Sequence, residues 1–236
     1  MVDRIATLTT HHRTLSDITK VQMDLADINR QISSGKKAKT YDQLSGVVER
    51  VSSNQSKLSR IDNYISNNTS VTTYLQVADT SIYQIQKALE EFSSALVLRQ
   101  GISESEQLNF KTIVQQTLDK INSALNASVG GRYVFAGTKT DIKPVESISS
   151  LTTPGVPDAS YYKGNDTALT ARISDAREIN YGVRGNEEAF QTAIAAVLTA
   201  KAADLSDAND DFSKATDLLN DAITQLSSLR SSVGTN

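Results

Sequence analysis

The stretch IDNYISNNTSVTTYLQVADTSIYQIQKALEEFSSAL, Ile61 to Leu96, carries Ile61, Asn68, Leu75, Ile82, Leu89 and Leu96 at a constant spacing of seven. A seven-residue repeat sets these side chains in one seam along a coiled-coil-like helix. A second file begins as Leu58, Ile65 and Thr72, then shifts by one residue to Ala78, Ile85 and Phe92. Neither Gly nor Pro occurs from Val47 to Gln100, so at 1.5 Å per residue the helix would run for roughly 80 Å. A helix of that length cannot hide its seam against itself. Ile61, Leu75, Ile82, Leu89 and Leu96 are therefore read as a seam for packing against other helices, including those of neighbours in an assembly.

Upstream, Leu15, Ile18, Leu25, Ile28 and Ile32 recur at helical spacing and form one apolar stripe, which ends at Ser33-Ser34-Gly35. The polar run KKAKTYDQLS and Gly46 mark a joint before the long helix. Downstream, Gly101 closes the long helix, and Ser103-Glu104-Ser105-Glu106 has the pattern of a capping box opening the next. Phe110, Val114, Leu118, Ile121 and Leu125 line one face of that helix, and Gly130-Gly131 is its expected stop. Two helices joined by a short Gly-containing turn fold back as an antiparallel hairpin.

The chain then changes character. Arg132-Tyr133-Val134-Phe135 favours strand, and all three prolines, Pro144, Pro154 and Pro157, fall in the segment that follows. Strands are expected near Tyr133, near Tyr161, over Ala168 to Ile173 and over Glu178 to Tyr181. Helix returns after Asn186, read as an N-cap, with Ala189, Phe190, Ile194 and Val197. A last helix carries Phe212, Ala215, Leu219, Ile223, Leu226 and Leu229. The fold expected is mainly α with a small β-rich insert (α+β), an elongated antiparallel bundle of long helices. Its parts are an N-terminal helix and joint over 1–45, a rod over 46–130 and 185–236, and the insert over 131–184.

Composition excludes several functions. A net charge of −3 and a pI near 5.5 leave no basic surface of the kind that neutralises nucleic-acid phosphates. With no cysteine there is no disulfide, thiolate catalysis or Cys-based metal site, which suits a protein that travels unfolded. The N-terminus lacks an apolar stretch long enough for a signal peptide or membrane span. His11-His12 point in different directions on a helix and make a poor metal pair. Asp207, Asn209 and Asp211 start like a calcium loop, but Phe212 stands where Gly is needed and Leu218 where Glu belongs. Lys36, Lys37 and Lys39 read as a solvated cluster. The Asn-x-Ser/Thr matches at Asn54 and Asn126 fall on expected helices. No phosphate-binding glycine motif and no nucleophile, base and acid arrangement emerges, so no catalytic residue, cofactor or metal is expected.

The segment GGRYVFAGTKTDIKPV, Gly130 to Val145, resembles the place where the hook-filament junction family of bacterial flagella, the hook-associated protein 3 family of the flagellin-like superfamily, leaves its long helices for its β domain. Tyr161 to Phe190, YYKGNDTALTARISDAREINYGVRGNEEAF, is similar to that family's return to helix. ISSGKKAK at Ile32 to Lys39 looks like the end of the N-terminal helix shared with flagellin, and Phe212 to Arg230 resembles the approach to the C-terminal helix. Thr40-Tyr41-Asp42-Gln43 departs from the family pattern after the Ser-Ser-Gly motif.

The resemblance implies an extracellular, non-enzymatic adaptor exported through the flagellar type III channel. Its implied partners are copies of itself in a ring or oligomer, another hook-associated protein on the hook side, flagellin on the filament side and an export chaperone, with no nucleic acid and no membrane. Family members run on beyond the level of Ser231 to Asn236, so the stripe at Leu15, Ile18, Leu25, Ile28 and Ile32 is expected to be mobile, swapped or packed on a neighbour. The alternatives are flagellin itself, or a helical secreted binding module or adhesin.

Overall fold

In the computed structural model, residues 2–38, 47–99, 104–148, 155–206 and 209–234 are described. Gly46, Gly101, Ser103 of the capping box, Lys39 and Asp207 lie outside them. The elements run α1 (Val2–Ser34), α2 (Val48–Arg99), α3 (Glu104–Leu125), β1 (Ser128–Val129), β2 (Arg132–Tyr133), β3 (Leu169–Arg172), β4 (Glu178–Tyr181), α4 (Glu188–Ser206) and α5 (Asn209–Gly234). The chain divides into two units, Met1–Arg60 and Ile61–Asn236.

In the first unit α1 is an exposed helix supported by local pairs on its own surface. Asp27 accepts from Arg30, and Gln31 Nε2 donates to Asp27 Oδ2 at 2.8 Å. Side chains three and four apart are neighbours on a helix, so such pairs give the turn local support. Arg30, followed by Gln31, holds the Asp27 carboxyl below its ordinary value.

The second unit is an up-down-up-down arrangement of helices. Phe92 of α2 stacks on Phe110 near the start of α3, whereas Tyr74 meets Val134 just beyond the end of α3, so α3 runs back along α2. Phe212 meets the same Phe110, and Arg230 reaches Asp79, so α5 is also antiparallel to α2. Phe190 at the start of α4 packs edge-on against Phe135, which orients α4 with α2. The sequence EAFQTAIAAVLTAKAADLS of α4 is apolar on nearly every side, and Ala193 to Ala200 are all buried. A helix apolar all round must be enclosed, and its alanines let α5 approach closely.

Between α3 and α4 the chain forms hairpins. Ser128 pairs with Tyr133 and Val129 with Arg132 across Gly130 (φ 56°) and Gly131 (φ 79°). Two positive φ values in a two-residue loop define the turn that matches strand twist, and glycine adopts them freely. The Gly pair is thus a hairpin turn and not the helix stop expected from sequence; α3 already ends at Leu125. β3 and β4 pair from Leu169–Tyr181 to Arg172–Glu178, inside the expected ranges. Near Tyr161 there is no strand, only an isolated bridge between Val145 and Tyr162. Nor does Asn186 cap α4: its amide donates to Asp166 Oδ1 at 2.6 Å, and the helix begins at Glu188.

Strand also stops short of Val134, Phe135 and Ala136, which are fully buried without a ladder. Their backbone groups find other partners, as buried polar groups must. Val134 N donates to Ala127 O at 2.9 Å, Tyr74 Oη donates to Val134 O, Gly185 N to Phe135 O at 2.8 Å and Asn165 N to Ala136 O at 3.2 Å. Asn126 imitates a strand, giving Nδ2 to Val145 O at 2.8 Å and accepting from Val145 N at 3.1 Å. The Asn-x-Ser motif at Asn126 therefore serves packing. Val134, Phe135, Val145, Ile148, Tyr161 and Val183 share one core with the helices.

Gly137 closes this joint at φ 64°, and an added Cβ would lie 2.3 Å from Asn165 O and Oδ1. Gly137→Ala is expected to lower the unfolding free energy by about 2–4 kcal/mol, the sum of left-handed strain and overpacking. Gly130→Ala, with open space around it, is expected to cost about 1–2 kcal/mol. Urea unfolding of both variants measures the difference.

Candidate assembly surfaces

The seam of α2 has two fates. Ile82, Leu89 and Leu96 are buried in the chain's own core, as are Ala78, Ile85 and Phe92 of the second file. Leu75 is half-buried, whereas Ile61 is 51% exposed and Leu58 and Ile65 are exposed beside it. Three of the seam's named residues, Ile82, Leu89 and Leu96, thus lie in the chain's own core, and Ile61 is the one left exposed.

The change occurs where α5 meets α2. Arg230 Nε donates to Asp79 Oδ1 at 2.9 Å and its Nη2 to Oδ2 at 3.3 Å, while the guanidinium lies 4.8 Å from the Tyr83 ring centre. The hydrogen bond to Asp79 raises the Arg230 pKa above its ordinary value. One turn further, Val233 and Gly234 form the edge of an open groove of about 700 Å³. Val71, Leu75, Ile173, Ile179 and Val233 supply its apolar lining, and Asn68, Thr72, Gln76 and Asp79 its polar rim. Tyr64 donates to Asp175 Oδ1 at 3.0 Å and so links α2 to the turn between β3 and β4.

In α1 the stripe Leu15, Ile18, Leu25, Ile28 and Ile32 is exposed throughout, from 49% at Leu15 to 75% at Ile32. Leu8, Val21 and Met23 are equally open. The sequence reading missed Val21, although its position three before Asp24 and three after Ile18 places it beside the stripe. His11 and His12 are exposed on the same helix, and Lys36 and Lys37 are solvated after it.

The polar chemistry of the second unit is structural. Tyr161 Oη donates to Gly185 O at 2.8 Å and Tyr162 Oη to Asn165 O at 2.9 Å. Burial pushes the Tyr74 and Tyr161 phenols above the usual tyrosine value and Tyr162 up to about 12, so all three remain neutral donors to backbone carbonyls. Among the described residues no group of acidic, His or Cys side chains could hold a metal ion, and no helix is long and apolar enough to cross a membrane.

Residues 5–140 match the family model of the bacterial flagellin N-terminal helical region. The chain belongs to that family. This flagellin-family chain is 23% identical over 186 residues to flagellar hook-associated protein 3 of Salmonella typhimurium, an alignment that covers 77% of the chain and 55% of that relative. It thus spans about half the length of the curated relative. The crystal structure of Bacillus cereus FlgL superposes with a TM-score of 0.63 at 16% identity, covering 79% of this chain and 89% of that one. A Vibrio parahaemolyticus chain described as a flagellar hook-associated protein superposes with a TM-score of 0.52 at 14% identity, covering 81% and 89%. At these identities the likeness shows the fold, helices with a small antiparallel insert.

Ile82→Ala is expected to destabilise the isolated chain by about 2–5 kcal/mol, because it opens a cavity in the core. Ile61→Ala, on the open part of the same seam, should stay within about 0.5 kcal/mol of the parent. Chemical denaturation of the two variants separates core seam from surface seam.

Proposed function

We propose that the chain is a non-enzymatic structural subunit of the bacterial flagellum that joins hook to filament. The observation that carries this reading is the pairing of a finished core with two uncovered apolar helix faces, α1 and the first part of α2. An isolated soluble chain gains nothing from keeping such faces open, whereas an axial subunit buries them against neighbours as it adds to a growing structure. The resemblance to hook-associated proteins in sequence and in fold favours the junction over the filament itself. Its family consists of structural proteins, and the proposal gives it no catalytic step.

The partners in this reading are further copies of the chain, another hook-associated protein toward the hook and flagellin toward the filament, with a chaperone during type III export to the cell exterior. Flagellin is the second reading, because the matching family model is that of flagellin's own N-terminal region.

A strain lacking the gene is expected to carry bare hooks and to release abundant flagellin monomer into the medium, seen by electron microscopy and quantitative immunoblotting. Bare hooks with the main extracellular flagellin gone would identify the chain as filament subunit. Intact filaments would overturn both flagellar readings.

A further inference from the structure

Between α2 and α3 the second unit holds an outer groove of about 400 Å³. Ser81, Ala88 and Ala124 form its floor, all of them small and buried, and a floor of small side chains lets the ridge of another helix approach closely. Ser81 is only 4% exposed, and its hydroxyl has no partner among the described residues. A hydroxyl so placed gains a hydrogen bond when a polar ridge fills the groove. The rim is charged. Lys120 Nζ donates to Glu91 Oε2 at 2.7 Å, and Lys87, one turn before Glu91, makes no ion pair among the described residues. The bond from Lys120 and, at longer range, the charge of Lys87 hold the Glu91 carboxyl below its ordinary value. Two ammonium groups about one turn apart with a single carboxylate between them make this edge net positive.

The outer face of α5 carries the opposite charge. Asp217 and Asp221, both exposed, stand at i and i+4, and neither makes an ion pair among the described residues. Lys214, three before Asp217, has its ammonium against Gly155 instead: a Cβ added there would lie 2.7 Å from its Nζ. Like charges at that spacing destabilise a helix, and a cationic partner relieves the repulsion. Among the described residues no other helix of this unit sets two carboxylates four residues apart. Thr224, exposed on the same face, keeps the ridge narrow. We infer that α5 of one copy lies in the α2–α3 groove of a second copy, with Asp217 and Asp221 against Lys87 and Lys120. Groove and ridge are different surfaces, so each copy gives one and accepts the other, and such a heterologous contact closes into a ring or continues as a helical array. Exposed ion pairs are individually weak, so what they set is the orientation of neighbours. This deepens the assembly reading above and rests on it.

The absence of cysteine makes the test direct on the full chain. Ser123→Cys in the groove and Thr224→Cys on α5 are oxidised as an equimolar mixture and each alone, and Thr170→Cys, exposed on β3, replaces Thr224→Cys as the collision control. The contact predicts links between Ser123→Cys and Thr224→Cys at least tenfold faster than links between Ser123→Cys and Thr170→Cys, and faster than same-site links from either variant alone. Lys87→Glu with Lys120→Glu, added to the Ser123→Cys chain, should bring the rate down to the control. Asp217→Lys with Asp221→Lys, added to the Thr224→Cys chain, should then restore it, which a merely misfolded groove would not allow. Equal rates with Thr170→Cys, same-site links as the fastest, or no restoration by the doubly reversed pair would each overturn the contact. The gene-deletion assay is independent of this one. Bare hooks without the preferred link would remove the contact alone, and the preferred link in a protein whose deletion leaves filaments intact would remove the junction role alone.

Discussion

A 52-residue helix with an apolar seam must find cover along its whole length, and its own chain supplies that cover for only part of it. From Ala78 to Leu96 the seam of α2 is sealed by α3 and α5, with Phe92, Phe110 and Phe212 in contact. At Leu58, Ile61 and Ile65 the helix is open. The hydrophobic term that drives folding thus acts on the second half of the helix, and in the first half Leu58, Ile61 and Ile65 face solvent. Ile61 and Ile82 occupy equivalent heptad positions, yet one is exposed and the other fully buried.

The sealed half depends on a joint that is neither helix nor sheet. Val134, Phe135 and Ala136 enter the core without a strand partner, which is tolerable only because Tyr74, Gly185 and Asn165 donate to their carbonyls. The donors come from α2, from the segment before β3 and from Gly185 just before α4, so the joint ties the start of the buried seam to the point where the chain returns to helix. The neutral phenol of Tyr74 and its edge contact with Tyr181, at 5.3 Å between ring centres, pin α2 against the β3–β4 hairpin. The Asp79–Arg230 pair ties α5 to α2 one turn before α5 ends at Gly234.

Much of this architecture is legible in periodicity. Seven-residue spacing exposed α2 as a single long helix, and the change at Asn186 lies two residues before α4, whereas the change at Arg132 comes after α3 has ended at Leu125 and β1 has formed. Spacing could not say which half of the seam the chain itself covers, because Ile61 and Ile82 look alike until α5 is placed in three dimensions. The joint was misread for a different reason. Val134 and Phe135 have strong strand propensity, but their partners, Tyr74, Asn165 and Gly185, lie far away in sequence, and tertiary hydrogen bonds overrode the local preference. Asn186 was read as a cap because Asn suits that position, yet its amide is engaged by Asp166. The stripe of α1 was visible as a pattern; its complete exposure was not.

The central claim, that one continuous seam is core in its second half and open surface in its first, is tested most directly by native-state amide hydrogen exchange along α2 of the isolated chain. Protection over 74–96 should approach that of global unfolding, and amides over 50–65 should exchange about 2–4 orders of magnitude faster. Uniformly strong protection from 50 to 96 would contradict the account, because it would mean that the chain covers the whole seam by itself.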